Sequence, residues 1–129
     1  MTIKEVSQMY NISADTLRYY EKIGLIDPVT RNSNGIRNYQ EADLKRIKFL
    51  KCMRLSGLSI DMLSQYIYLL QEGEHTLPQR KEILLKQRAE IVSKMNELQD
   101  TLDHLDHKIE SYDDVIAKKE KEMMNIKMN

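Results

Sequence analysis

Apolar residues between Ile3 and Leu70 recur at helical spacing, but only in short runs, each closed by a turn signal. Thr2, with Glu5 three residues on, is a capping-box pattern and predicts a helix through Met9. Ser13, ahead of Ala14-Asp15-Thr16, offers a second N-cap for a run through Leu17 and Ile23 that ends at Gly24. Two short helices joined by a tight turn are a helix-turn-helix candidate. Asp27-Pro28 breaks the pattern, and Arg31-Asn32-Ser33-Asn34-Gly35 is a polar turn between Leu25-Ile26 and Ile36, predicting a small two-stranded wing. A third helix is predicted from Glu41 or Asp43 through Leu44, Ile47, Leu50 and Arg54 to Ser56-Gly57. A fourth follows Ser59, through Met62, Leu63, Tyr66, Ile67 and Leu70.

The period changes after Glu72-Gly73-Glu74-His75-Thr76-Leu77-Pro78. Beyond it Leu84, Ile91, Leu98, Leu105, Tyr112 and Ile126, broken at Lys119, alternate with Met95, Leu102, Ile109, Ile116 and Met123 as the two series of a heptad seam. A helix with so narrow an apolar stripe has no core of its own and must bury it against a partner. The expected architecture is mainly all-α: a winged helix-turn-helix head over residues 1–72, a linker over 73–79, a dimerising coiled-coil helix over 80–126 and a tail over 127–129. The seam is expected to join two copies into a homodimer, and its positions alone leave the strand orientation open.

Composition agrees with a helical chain, since four glycines, two prolines, one phenylalanine and no tryptophan leave little material for a β-rich fold. The 20 Lys and Arg balance the 20 Asp and Glu, but unevenly. Residues 1–60 carry ten basic against six acidic side chains, so the head is net +4 and the remainder net −4. No run approaches the roughly 18 apolar residues of a membrane span, and the first residues lack a signal peptide's apolar core. A soluble, cytoplasmic protein with no membrane partner is expected. One cysteine cannot form an internal disulfide framework or a multi-thiolate metal site. His104 and His107, with Asp103 and Asp106, read as a solvated face and not as a metal cluster. No cofactor is expected, and with no catalytic triad, phosphate loop or carboxylate pair in view, the chain is not expected to be an enzyme.

Candidate chemistry lies on the second helix, where a recognition helix would enter the major groove. Arg18 can pair with guanine or phosphate, and the hydroxyls of Tyr19 and Tyr20 can reach phosphates. Alternatively, one tyrosine is core and the arginine solvated. Arg37 and Tyr39 follow the glycine turn, where a wing would meet the backbone. A surface hairpin fits that pattern equally well.

Thr16-Leu17-Arg18-Tyr19-Tyr20-Glu21, then Gly24-Leu25-Ile26, Arg31, Gly35, Arg37, Tyr39, Asp43-Leu44 and Gly57-Leu58-Ser59 resemble, in order and spacing, the signature of the MerR family of transcriptional regulators. The resemblance covers the whole head. It implies a winged-helix dimer held by an antiparallel coiled coil, with Thr16, Arg18, Tyr19, Tyr20, Arg37 and Tyr39 on promoter DNA. Such regulators distort a pseudo-palindromic promoter with a long spacer so that RNA polymerase engages both its elements. Metal sensors of the family carry cysteines near the far end of the coiled coil and drug sensors a further ligand-binding domain; neither is found here, so a metal sensor is not expected.

Cys52 is then the switch candidate. At 100° per residue it lies off the side shared by Leu44, Ile47, Leu50, Lys51 and Arg54, beside Lys45, Lys48 and Phe49. A nearby ammonium favours the thiolate, which attacks electrophiles, whereas a lone cysteine can equally be a small inert hydrophobe. Phe49-Leu50-Lys51-Cys52-Met53-Arg54 resembles the aldehyde- and thiol-stress-responsive, NmlR/AdhR-like branch of the family. The expected function is a promoter-distorting activator that answers electrophile, aldehyde or thiol stress through Cys52. One alternative is the same regulator with a non-covalent effector in a pocket lined by Tyr66, Tyr68 or Leu69; another is a coiled-coil adaptor whose head binds protein.

Overall fold

The computed structural model describes residues 1–124; Ile126 of the expected seam and the 127–129 tail lie outside the described residues. Helix α1 (Ile3–Tyr10) opens as expected, with Thr2 Oγ1 accepting the Glu5 N–H at 3.2 Å and Glu5 Oε1 accepting the Thr2 N–H at 3.0 Å. The hydrogen bonds from Thr2 hold the Glu5 carboxyl below its ordinary range. That cap therefore contributes at neutral pH and is lost as pH falls through the lowered value. Asn11 ends the helix in the left-handed region (φ 53), which asparagine tolerates better than most residues. Ser13 Oγ then accepts the Thr16 N–H at 3.1 Å and starts α2 (Ala14–Lys22).

The chain leaves α2 at Gly24 (φ 83) and tucks Leu25, Ile26 and Val29 into the core. The wing is pared to an isolated antiparallel bridge between Arg31 and Arg37. Its turn is closed by the Asn32 carboxamide, which accepts the N–H groups of Asn34 and Ile36. Backbone bonds from Asn32 to Ile36 (2.8 Å) and from Asn38 to Thr30 (2.7 Å) complete it. Helices α3 (Glu41–Leu55) and α4 (Ile60–Glu72) follow, α4 capped by Ser59 Oγ on the Met62 N–H. After one 3₁₀ turn (Glu74–Thr76), α5 runs over Leu77–Glu110.

Two compact units result, Met1–Gln87 and the chain from Arg88 onward. The first has one core, in which Val6, Leu17, Leu25, Ile26, Ile47, Leu50, Leu58 and Leu63 are fully buried. It extends past the expected linker and takes in the first turns of α5. Leu84, expected in the dimer seam, packs with Ile83 against the head core instead. Arg80 explains why those turns are held: it is buried, its Nε donates to Thr76 Oγ1 at 3.0 Å, and its guanidinium lies 6.0 Å from the centroid of the Tyr66 ring. The Tyr66 ring in turn packs on Phe49 of α3. Lower in the same unit, Gln87 Nε2 donates to Ser56 O in the α3–α4 turn.

From Arg88 the second unit is a helix whose apolar stripe is exposed: Met95 at 62%, Leu98 at 69%, and Ile91, Leu102, Leu105 and Ile109 likewise. The continuous helix expected to 126 is interrupted. Ser111 turns out of α5, Tyr112–Ile116 forms a single π-helical turn in which the Ile116 N–H reaches Ser111 O at 3.1 Å, and α6 covers Ala117–Met124. A π turn inserts an extra residue into the helical period, so the heptad phase of Ile91–Ile109 is not carried through it to Ile116 and Met123.

At Gly57, φ is 86, and a Cβ placed there would lie 2.6 Å from Gln87 Nε2. Gly57→Ala is expected to destabilise the head by about 1–2 kcal/mol, read as a lowered urea midpoint. Adding Gln87→Ala should restore only the steric part and leave the backbone strain.

Candidate nucleic-acid interface

The phase of α2 decides which of its side chains meet solvent. Leu17 and Tyr20 point inward, at 0% and 5% exposure, so Arg18 and Tyr19 between them point outward. The Arg18 guanidinium is steadied by Asp15 one turn earlier, Nη1 to Oδ1 at 2.9 Å. Thr16 is half-buried, with its hydroxyl accepting from Ser13 Oγ at 2.8 Å. Of the six residues expected on DNA, two belong to the core. Tyr20 packs with Leu17, and Tyr39 is 2% exposed, its hydroxyl buried without a hydrogen-bond partner among the described residues. Their rings serve packing; a two-residue run of tyrosine on a helix cannot place both on the same side.

Arg37 is half-buried and not splayed outward. Its Nε donates to Glu21 Oε1 at 2.8 Å, joining the wing to α2 across 16 residues of sequence. Arg31 Nη1 donates to Gly35 O at 2.7 Å, inside the wing turn. Two partners escaped the sequence reading. In the sequence Glu21 is only part of the family signature, with no partner assigned, and Arg46 of α3 sends Nε to Leu25 O at 2.9 Å while its Nη2 is buried without a hydrogen-bond partner among the described residues. A helical charge pair three or four residues apart can be read from spacing; these contacts span elements and cannot.

Cys52 is exposed on α3. Of its lysine neighbours, Lys45 also faces Glu41 at 3.9 Å. Lys51, beside it in sequence, turns the other way and donates to Tyr10 O at the end of α1. The Cys52 carbonyl accepts the Ser56 N–H (3.2 Å) and Oγ–H (3.3 Å), and Ser56 O is the acceptor for Gln87. His104 and His107 lie exposed on α5, and among the described residues no group of three or more His, Cys, Asp or Glu is placed to hold a metal ion. No helix among the described residues is long and apolar enough to cross a membrane.

This arrangement of helix pair, wing and second helix pair matches two family models: "MerR HTH family regulatory protein" over residues 1–70, and "MerR, DNA binding" over residues 44–108. The chain belongs to the MerR family of transcriptional regulators. It is 48% identical over 92 residues to the HTH-type transcriptional regulator AdhR of Bacillus subtilis, a match spanning 71% of this chain and 66% of that one. Among solved structures, a MerR family regulator from Listeria monocytogenes shares 46% identity at a TM-score of 0.68, covering 96% of this chain and 94% of the other. HiNmlR, a MerR family regulator lacking the sensor domain and solved bound to promoter DNA, shares 28% identity at a TM-score of 0.62, with 90% and 92% covered. As a MerR regulator the chain is a DNA-binding transcription factor and not an enzyme, and the protein-binding adaptor reading of the head loses its support.

Burial of the Tyr39 phenol pushes its pKa above the ordinary 10.0. An unpaired buried hydroxyl costs about 1 kcal/mol or more, so Tyr39→Phe is expected to raise stability at neutral pH by roughly that amount. Since the folded-state value is raised, the wild type loses further stability as pH climbs from about 10 through it. Thermal unfolding at pH 7 and above pH 10 should therefore show the advantage of the Phe variant widening.

Proposed function

We propose that this MerR regulator is a homodimeric, promoter-distorting activator that responds to electrophile, aldehyde or thiol stress through Cys52. The observation that carries the DNA part is the outward face of α2, where Arg18 and Tyr19 are exposed beside the wing. Arg18, Tyr19 and Thr16 meet base edges and phosphates in the major groove, and Arg37 meets the backbone through the wing. HiNmlR, solved on promoter DNA without a sensor domain, supports a head of this kind acting on promoter DNA. RNA polymerase is the partner that reads the distorted promoter.

The dimer follows from the stripe Ile91, Met95, Leu98, Leu102, Leu105 and Ile109, whose spacing alternates between four and three residues and whose side chains are left exposed in one copy. A second copy of the same helix, paired antiparallel, would bury it.

For the effector, exposure makes the Cys52 thiol reachable, and the backbone carbonyls of Cys52 and Ser56, which accept from Ser56 and Gln87, link this end of α3 to α5. Attack of the thiolate on an aldehyde forms a C–S bond while the carbonyl π pair moves to oxygen, which takes up the proton the thiol gave up. The adduct alters the α3–α4 turn where Gln87 rests, biasing two arrangements of the heads. A second reading keeps the DNA-binding head but uses a non-covalent effector. It draws on an open groove of about 500 Å³ lined by Met62, Gln65, Pro78, Gln79, Glu82, Ile83 and Lys86, and on a neighbouring one lined by Ser64, Gln65, Tyr68 and Leu69. Tyr66 is committed to Phe49 and Arg80 instead.

Cys52→Ser is expected to bind promoter DNA like the wild type and to lose its transcriptional response to a mild aldehyde or quinone; a full response would assign the effector to the grooves. Arg18→Ala should weaken DNA binding by about 1–3 kcal/mol and flatten the plot of log affinity against log salt by about one unit. Leu98→Glu with Leu102→Glu should sediment as a monomer.

A further inference from the structure

The Arg37–Glu21 pair differs from the other ion pairs among the described residues. The Arg18–Asp15, Lys45–Glu41 and Lys94–Glu90 pairs lie within one helix and are largely exposed, whereas Arg37 and Glu21 join two elements with side chains only 22% and 17% exposed. Pairs exposed to solvent fix little, and a half-buried one shielded from water fixes geometry. The wing has need of it, for a single bridge between Arg31 and Arg37 is all its ladder. Glu21 is also an acidic side chain on the recognition helix of a basic head, where a carboxylate repels phosphate. Only Nε of Arg37 is engaged by it; the terminal nitrogens make no hydrogen bond among the described residues.

We infer that Glu21 is a positioning residue for DNA recognition: it clamps Arg37 so that the wing and α2 present their arginines to the duplex as one rigid unit. Glu21 itself touches no nucleotide in this scheme. The inference rests on the DNA-binding reading of α2 and the wing. Its cost is a repulsive charge near the phosphates, and its gain is specific, since a preset wing favours the duplex whose backbone lies where Arg37 is held. Non-specific binding, which depends on summed charge, has no use for the clamp.

The test compares a duplex selected by the wild-type protein from a randomised pool with poly(dI-dC). Glu21→Ala, which removes the clamp and keeps the helix, is expected to lose about tenfold in affinity for the selected duplex and none for poly(dI-dC). Glu21→Gln, which retains an acceptor for the Arg37 N–H, is expected to keep most of the affinity. The double variant Glu21→Ala with Arg37→Ala should bind no more weakly than Arg37→Ala alone, because the two residues act as one. If Glu21 is merely a repulsive surface charge, Ala and Gln both raise affinity for both duplexes, and the inference is overturned; it is equally overturned if the Glu21 and Arg37 losses add in full. Should thermal denaturation show Glu21→Ala unfolded at the assay temperature, the exchanged pair Glu21→Arg with Arg37→Glu decides. Recovery of duplex preference above either single variant supports the clamp, and no recovery refutes it. A wild-type protein with no preference for any duplex over poly(dI-dC) would remove the DNA reading itself, an outcome separate from failure of the clamp.

Discussion

Burial of Leu17 and Tyr20 on one side of α2 is the constraint from which the head's chemistry descends. A nine-residue helix is too short to persist in water on its own propensity. It exists because that side is sealed against Val6 and the rest of the core, and because Ser13 satisfies the free N–H of Thr16 in its first turn. Fixing the phase in this way leaves Arg18 and Tyr19 no choice but solvent. Which side chains of α2 face solvent is thus decided by packing, and any change that rotated α2 by one residue would exchange the tyrosine that packs for the one that is exposed.

Around that helix the head is stitched by contacts between elements that local propensity cannot supply. Arg46 holds the carbonyl of Leu25 where the chain leaves α2, Lys51 holds the carbonyl of Tyr10 where it leaves α1, and Arg54 holds Leu58 O across the α3–α4 turn. All three come from α3. Each satisfies a carbonyl at a point where a helix or turn ends, a place where backbone acceptors would otherwise be orphaned. Helix α3 therefore ties together the ends of α1 and α2 and the turn into α4, and Cys52 is exposed on that same helix.

Much of this was legible in the residues. The caps at Thr2, Ser13 and Ser59, the breaks at Gly24 and Gly57, and the apolar phase of α3 and α4 are local signals, and local signals place short helices well. The family signature rested on the same positions. Most of the failures share one cause, which is dependence on partners distant in sequence. Tyr39 carries a hydroxyl and lies two residues after an arginine, so its pattern resembles a contact residue; only the folded chain shows it buried in the core. Leu84 has the spacing of a seam residue, but the Arg80–Thr76–Tyr66 cluster pins the start of α5 to the head and uses Leu84 there. Glu21 belongs to the family signature, but nothing local shows its pairing, because its partner sits 16 residues away in a different element. The π turn at 112–116 likewise leaves no mark on a heptad count, which assumes a constant period.

In a dimer joined through α5, that π turn would limit how much helix can pair. From Ile91 to Ile109 the uninterrupted stripe is about 27 Å long at 1.5 Å per residue, a short seam by the standards of two-stranded coils. For a homodimer closed along it, assembly depends on protomer concentration. Such a regulator would be sensitive to its own copy number as well as to its inducer: gene dosage, and not chemistry alone, would set how much of it is competent to occupy a two-fold site.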